Sequence, residues 1–298
     1  MKRLHYEANL ENMRGFVRRL TNLFEEMMNG FEDPMAARAY EIGTDPRPTE
    51  KGLWETAMTT SGVVQPERKP GVDEGRAQLL AYEAYEAESD EIRKELADNA
   101  LSIAPQLPDA LLLAAELNPD SRKASDLFER AIRQASKIFE PGENPWQNVP
   151  NRPFMRDAFS YGVHLFMIRE FSEAADVFKD LVRMNVMDNQ GARYEAVASL
   201  IHSERYTEAA EILVRFEKGS EADAVYLYLD WKLEHEASDG KSEEAAAMLE
   251  KASKANGHVR HFMTFRTKPI RYPRKLLIQP GSVEEAKYIW LLLQGSSA

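Results

Sequence analysis

The sequence contains no cysteine. A disulfide framework, a thiolate nucleophile and a Cys-ligated zinc site are therefore excluded, and a thiol-free chain fits a reducing compartment. Nor is there an apolar run of the roughly 18 residues that would suggest a membrane-crossing helix. The start, Met1-Lys2-Arg3-Leu4-His5-Tyr6-Glu7, is charged and lacks the apolar stretch of a signal peptide, so the expected location is the cytoplasm. Positive charge is short as well: 38 Lys and Arg stand against 49 Asp and Glu, for a net −11. That balance argues against general affinity for nucleic acid or anionic lipid across the whole surface. No glycine-rich phosphate loop is present, and Thr59-Thr60-Ser61-Gly62 reads as an ordinary turn. His258 and His261 have no carboxylate near them in sequence, whereas a metal site needs three or four converging ligands. The acidic residues Glu83, Glu86, Glu88, Asp90 and Glu91 read as a solvated helix face. No nucleophile and base can be paired into a pocket, so neither an enzyme nor a cofactor is expected.

What the chain does have is a repeat. Arg169-Glu170-Phe171-Ser172-Glu173-Ala174-Ala175 recurs as Glu204-Arg205-Tyr206-Thr207-Glu208-Ala209-Ala210, and again as Gly240-Lys241-Ser242-Glu243-Glu244-Ala245-Ala246. The first alanines, Ala174, Ala209 and Ala245, are 35 and 36 residues apart, and an apolar residue follows each by four: Phe178, Leu213 and Leu249. A period near 34 with this small–large pairing is the signature of tetratricopeptide-type helical hairpins. The fold expected is an all-α, right-handed α-solenoid of such hairpins over residues 73–298, preceded by an N-terminal helical extension over 1–72.

Apolar spacings of three and four place an amphipathic helix at 6–28, ended by Asn29-Gly30. It reads as a packing helix, with a homodimer face as the alternative. Residues 32–72 carry five prolines and four glycines, which divide short helices at 35–40 and 50–59 with loops. Five hairpins follow: 77–88 with 91–103, 109–117 with 121–139, 154–168 with 173–184, 191–203 with 207–217, and 221–237 with 243–255. In the first of them Arg93 sits where a small residue is expected, which predicts that its helices splay. The connection at 141–153 is long, and loops of that length often carry function. A final helix at 283–293 is expected to cap the last repeat.

One segment is more specific than the general pattern. Asn144-Pro145-Trp146, Arg152-Pro153-Phe154-Met155-Arg156 and Asp188-Asn189-Gln190-Gly191-Ala192-Arg193-Tyr194 resemble a bacterial group of tetratricopeptide repeat proteins similar to the suppressor of tumorigenicity 7 protein. In that group an R-P-Y-M-R-like start and an N-D-N-Q-G-x-R-Y-like turn bracket one hairpin. The resemblance covers about residues 77–293. It departs at Phe154, where the group has Tyr, at Val186-Met187, where it has Asn-Pro, and at Gly257, where it tends to have Pro. It implies helical repeats and a binding role, and it brings no catalytic chemistry with it.

Two polar sets remain as candidate sites. Arg152, Arg156, Phe159, Asn189, Gln190, Arg193 and Tyr194 are placed near one groove if the hairpins stack. Arginine can grip a carboxylate and amides can hold a peptide backbone, so the set suits a protein or peptide partner. The same residues also suit helix capping and loop anchoring. The second set is the run 251–283, with Lys251, Lys254, Arg260, Arg266, Lys268, Arg271, Arg274 and Lys275, no acid, and Phe262, Phe265 and Tyr272 interleaved. Its eight positive charges leave the remainder at −19. It could take an anionic partner such as nucleic acid between Lys251 and Lys275, or lie against the acidic repeats of its own chain.

Overall fold

The computed structural model describes residues 72–140, 142, 145–220, 222–265, 270–273 and 278–295. The helices expected at 6–28, 35–40 and 50–59, the turn at 59–62 and the homodimer face lie outside these residues. So do Arg266, Lys268, Arg274 and Lys275 of the basic run. The described residues form α-helices and short 3-10 turns, with no β-strand among them. In order these are α1 (Val72–Glu86), α2 (Asp90–Ile103), α3 (Pro108–Glu116), α4 (Ser121–Ala135), α5 (Arg152–Met167) and α6 (Phe171–Met184). They continue as α7 (Ala192–His202), α8 (Tyr206–Phe216), α9 (Ala224–Ala237), α10 (Glu243–Ala255), α11 (Val259–Thr264) and α12 (Val283–Gln294). Two compact units emerge, their described residues running 72–164 and 165–295, with the division inside α5.

In the first unit α1 packs on α2, α3 packs on α4, and α3 also touches α1 and α2. The reason is written in alanines. Ala77, Ala81 and Ala84 of α1 meet Ala97 and Ala100 of α2, and Leu107, Ala110 and Leu113 close the cluster. Small side chains at i, i+4 and i+7 let helix backbones approach closely. Arg93 does not splay this hairpin. It is buried, and it reaches Glu116 of α3 at 3.1 Å, so an ion pair occupies the place of a small residue. Helix α4 ends at Ala135 and tightens into a 3-10 turn at Ser136–Ile138, short of the expected 139. The long connection is held by Asn151, which is fully buried. Its amide donates to Glu140 O and Pro145 O while its Oδ1 accepts from Glu140 N–H.

The second unit repeats at the level of the backbone. Arg169, Glu204 and Asp239, 35 residues apart, each adopt a left-handed conformation, with φ of 68°, 60° and 52°. After each, an N–H closes back on the end of the preceding helix: Glu170 to Leu165 O, Arg205 to Leu200 O and Gly240 to His235 O. This is a Schellman-type helix end. The second helices α6 and α10 end alike, capped by the buried polar residues Asn185 and Asn256. The alanines of the repeat, Ala174, Ala209 and Ala245, are buried, as are Phe178 and Leu213. A left-handed residue with a Cβ is strained by about 1–2 kcal/mol. Replacing Glu204 with Gly should therefore raise stability by up to about 1 kcal/mol after the added flexibility of the unfolded chain is counted, and Glu204→Val should lower it. Urea denaturation of the two variants checks both signs.

The last helix does more than cap the final hairpin. It packs on α11 and α9, and it also reaches α7. A helix of twelve residues is about 18 Å long, enough to cross two neighbouring helices spaced about 8–10 Å apart. At its start Asn256 donates to Ser282 O and to Glu285 Oε2, which also accepts from Gly281 N–H. At its end His202 Nε2 donates to Leu292 O at 2.8 Å, and Gly295 abuts the Phe171 ring.

Candidate functional site

In the first unit the polar centre is Asp109, 2 % exposed near the start of helix α3. Its carboxylate accepts from Gln78 Nε2 at 2.6 Å and Tyr85 Oη at 3.0 Å, and from Arg156 Nε and Nη2 at 3.0 and 2.7 Å. Burial and the Asp109 charge push the Tyr85 hydroxyl well above its usual range, so it stays a donor. A second acid, Glu116, sits two turns further along α3 and accepts from Ser160 Oγ at 2.9 Å and from Arg93. Helices α1, α3 and α5, the first helices of their hairpins, thus share one hydrogen-bonded polar face. Arg152 lies beside Arg156 by one turn, yet it turns to the loop: its Nε donates to Trp146 O and its guanidinium covers the Trp146 ring. Phe159 is buried at 8 % exposure.

In the second unit the sequence-predicted residues form a closed cluster. Arg193 is 4 % exposed, and its Nη1 donates to Asp188 Oδ2 at 3.1 Å. Its Nη2 reaches Tyr194 Oη and lies 3.7 Å from Asp223 Oδ2, while Tyr194 Oη donates to Asp223. The guanidinium also stands over the Tyr194 and Phe216 rings, at 4.2 and 5.2 Å. Asp188 is fully buried, and burial pushes its carboxyl up to about 6 against the opposing pull of Arg193. Asp188 also accepts from the Arg193 backbone N–H, and Asn189 donates to Asn185 Oδ1 at 3.1 Å. Gln190 occupies the same turn, just before the left-handed Gly191. The arginine grips a carboxylate, as its chemistry suggests, but the carboxylates belong to its own chain. A partner could reach it only by displacing them.

Sequence reasoning missed a third cluster. Glu195, one residue after Tyr194, is 1 % exposed. Its Oε1 accepts from Tyr272 Oη and from Tyr288 Oη, both at 2.5 Å. Burial pushes its carboxyl up to about 7, against those two hydrogen bonds. The one available signal for Glu195 is a lone acid inside the apolar run of α7. Ser125 and His164, 3.0 Å apart, had no such signal; Ser125 donates to Ser121 O, so its proton serves its own helix. Burial lowers His164 to about 4 and keeps it neutral.

Of the basic run, Lys251, Lys254, Arg260 and Arg271 are described and exposed. Arg260 pairs with Glu250 at 2.8 Å, and Phe265, 58 % exposed, lies 4.8 Å from the His261 ring. Among the described residues no three of His, Asp and Glu gather as metal ligands do, and no helix is long and apolar enough to cross a membrane. Comparison of the chain with family models, curated proteins and solved structures finds no match.

Proposed function

We propose that the protein is a non-catalytic scaffold of tetratricopeptide-like hairpins, stacked as a right-handed α-solenoid within each unit, that binds a protein segment on the face of its first helices. The observation that carries this reading is the shared polar face of α1, α3 and α5, where Tyr85, Glu116, Arg156 and Ser160 line up across three successive hairpins. Partly exposed donors and acceptors on rigid neighbouring helices suit an extended or helical peptide. The resemblance to the bacterial repeat group points to the same role. Arg152, Arg156 and Phe159 remain on or beside this face; Asn189, Gln190, Arg193 and Tyr194 act as the frame of the second unit.

Charge reversal at Arg156 is a poor test, because it sets a carboxylate against the buried Asp109 and endangers the fold. Ser160→Arg is better: Ser160 is partly exposed, and the new guanidinium can keep a pair to Glu116. Affinity capture from the native lysate should recover a protein with the wild type and at least about tenfold less with Ser160→Arg. Val214→Glu, at a position 72 % exposed on the second helix α8, should capture as the wild type does. Equal capture by all three contradicts the assignment.

A second reading rests on the exposed Phe265, which lies beside His261, together with the exposed Lys254 and Arg260 of the same basic run, an aromatic and cationic composition that suits an anionic partner. It requires retention on a phosphate matrix that falls steeply with salt.

A further inference from the structure

We propose, resting on the reading of α1, α3 and α5 as the binding face, that this face takes an extended partner segment carrying a tyrosine, whose hydroxyl donates to Glu116. The second unit supplies the pattern, because there the chain's own C-terminal residues lie on a first helix. Tyr272, in the non-helical segment 270–273, and Tyr288, on α12, both donate to Glu195 Oε1 of α7. Their rings meet edge to face at 6.1 Å. Pro273 follows Tyr272 and disfavours a helical backbone there, so the tyrosine is delivered from extended chain. Burial pushes both hydroxyls well above their usual range, so each remains a donor. An acid on a first helix is thus read by tyrosine.

The repeat carries this arrangement onto the first unit. The step from Ala174 to Ala209 is 35 residues, and the same step takes Ser160 of α5 to Glu195 of α7. The two residues therefore hold the same position in the repeat, on the same face of a first helix. What differs is the cover. Helix α7 is buried from Ala192 to Ile201, and both α12 and Tyr272 reach it. Ser160 and Val163, one turn apart on α5, are partly exposed. A carboxylate nevertheless stands at this position in both units. Glu195 brings its own, whereas Ser160 holds that of Glu116 by donating from Oγ at 2.9 Å. The Glu116 side chain is 29 % exposed, and its other oxygen accepts from Arg93 at 3.1 Å. A carboxylate has about four acceptor sites, so Glu116 has room for a hydroxyl from outside, as Glu195 takes two from within its own chain.

The test uses the full chain and a labelled synthetic peptide of residues 266–277, which holds Tyr272, five basic residues and no acid. A second peptide carries Tyr272→Phe at the same charge, so it reports general attraction to an acidic chain. By fluorescence anisotropy the tyrosine peptide should bind about tenfold more tightly than the phenylalanine peptide, as one hydroxyl-to-carboxylate bond implies. Glu116→Gln in the protein should erase most of that ratio, and Ser160→Arg should weaken both peptides. Equal affinity of the two peptides, binding of neither, or a ratio retained in Glu116→Gln would overturn the proposal. In the last case the peptide has taken the place of Tyr272 on Glu195. The two peptides are compared on an unaltered protein, so the ratio decides the matter even if Glu116→Gln does not fold. If the peptides fail while Ser160→Arg still loses capture from lysate, the tyrosine falls and the binding face stands.

Discussion

Ending the chain at Pro280 is expected to abolish cooperative folding of the second unit. The deletion removes α12, whose Tyr288, Ile289, Leu291, Leu292 and Leu293 are all buried. At about 1.5–3 kcal/mol for each large apolar side chain, the lost burial is on the order of 10 kcal/mol. That is comparable with the whole stability of an ordinary domain, about 5–15 kcal/mol. The loss does not stop there. Glu195 loses Tyr288, His202 loses the Leu292 carbonyl, and Asn256 loses both Ser282 O and Glu285. Single truncations grade the effect: Ile289→Ala and Leu292→Ala should each cost about 2–5 kcal/mol. Thermal melts followed by circular dichroism, with limited proteolysis to locate the damage, read the result. A truncated chain that melts as the full one does would show that α12 is an accessory.

The second large effect concerns Arg193. Arg193→Met should destabilise the protein by about 3–5 kcal/mol, because it leaves Asp188 fully buried without its cation. The size comes from the stranded charge. Adding Asp188→Asn removes that charge and keeps a side chain suited to the left-handed backbone at 188, so the double variant should recover more than half of the loss. The penalty should also depend on pH. Arg193 opposes the upward push of burial on Asp188, so without it the carboxyl protonates more readily. The single variant should therefore lie closer to the wild type at pH 5 than at pH 8. Urea denaturation at the two pH values, for both variants, gives all four numbers. A cost under about 1 kcal/mol for Arg193→Met would mean that the cluster does not hold the turn.

Much of the helical layout was legible in the sequence because its signals are local. Apolar spacing of three and four, prolines after second helices and the small–large pairs at Ala174 and Phe178, or Ala209 and Leu213, placed the hairpins to within a few residues. The stretches starting at 169 and 204 open on a left-handed residue, and the third, starting at Gly240, follows the left-handed Asp239 directly, so the repeat marked a real turn. The rest depends on pairings that local pattern does not encode. Arg156 meets Asp109 from 47 residues away, and Glu195 meets Tyr272 and Tyr288 from 77 and 93. Helix α11 was missed: at six residues it is too short to show a period, and it lies within the basic run. The reach of α12 to α7 was missed because its apolar face declares only that it packs, not on what. For the candidate site, residue chemistry was legible and the partner was not. Arginine beside amides and tyrosine suggests a carboxylate, and the sequence does not say whether it comes from another molecule or from Asp109 and Asp188.

The claim that the first helices of the first unit form the binding face is tested most directly by hydroxyl-radical footprinting of the complex with the captured partner. Tyr85 of α1 and the partly exposed side chains of α5 around Ser160 should gain protection, while Ile92 on α2, 52 % exposed, and Val214 on α8 should react as in the free protein. Protection of Ile92, or of Phe262 and Phe265 beside the basic run, with Tyr85 unchanged, would contradict it.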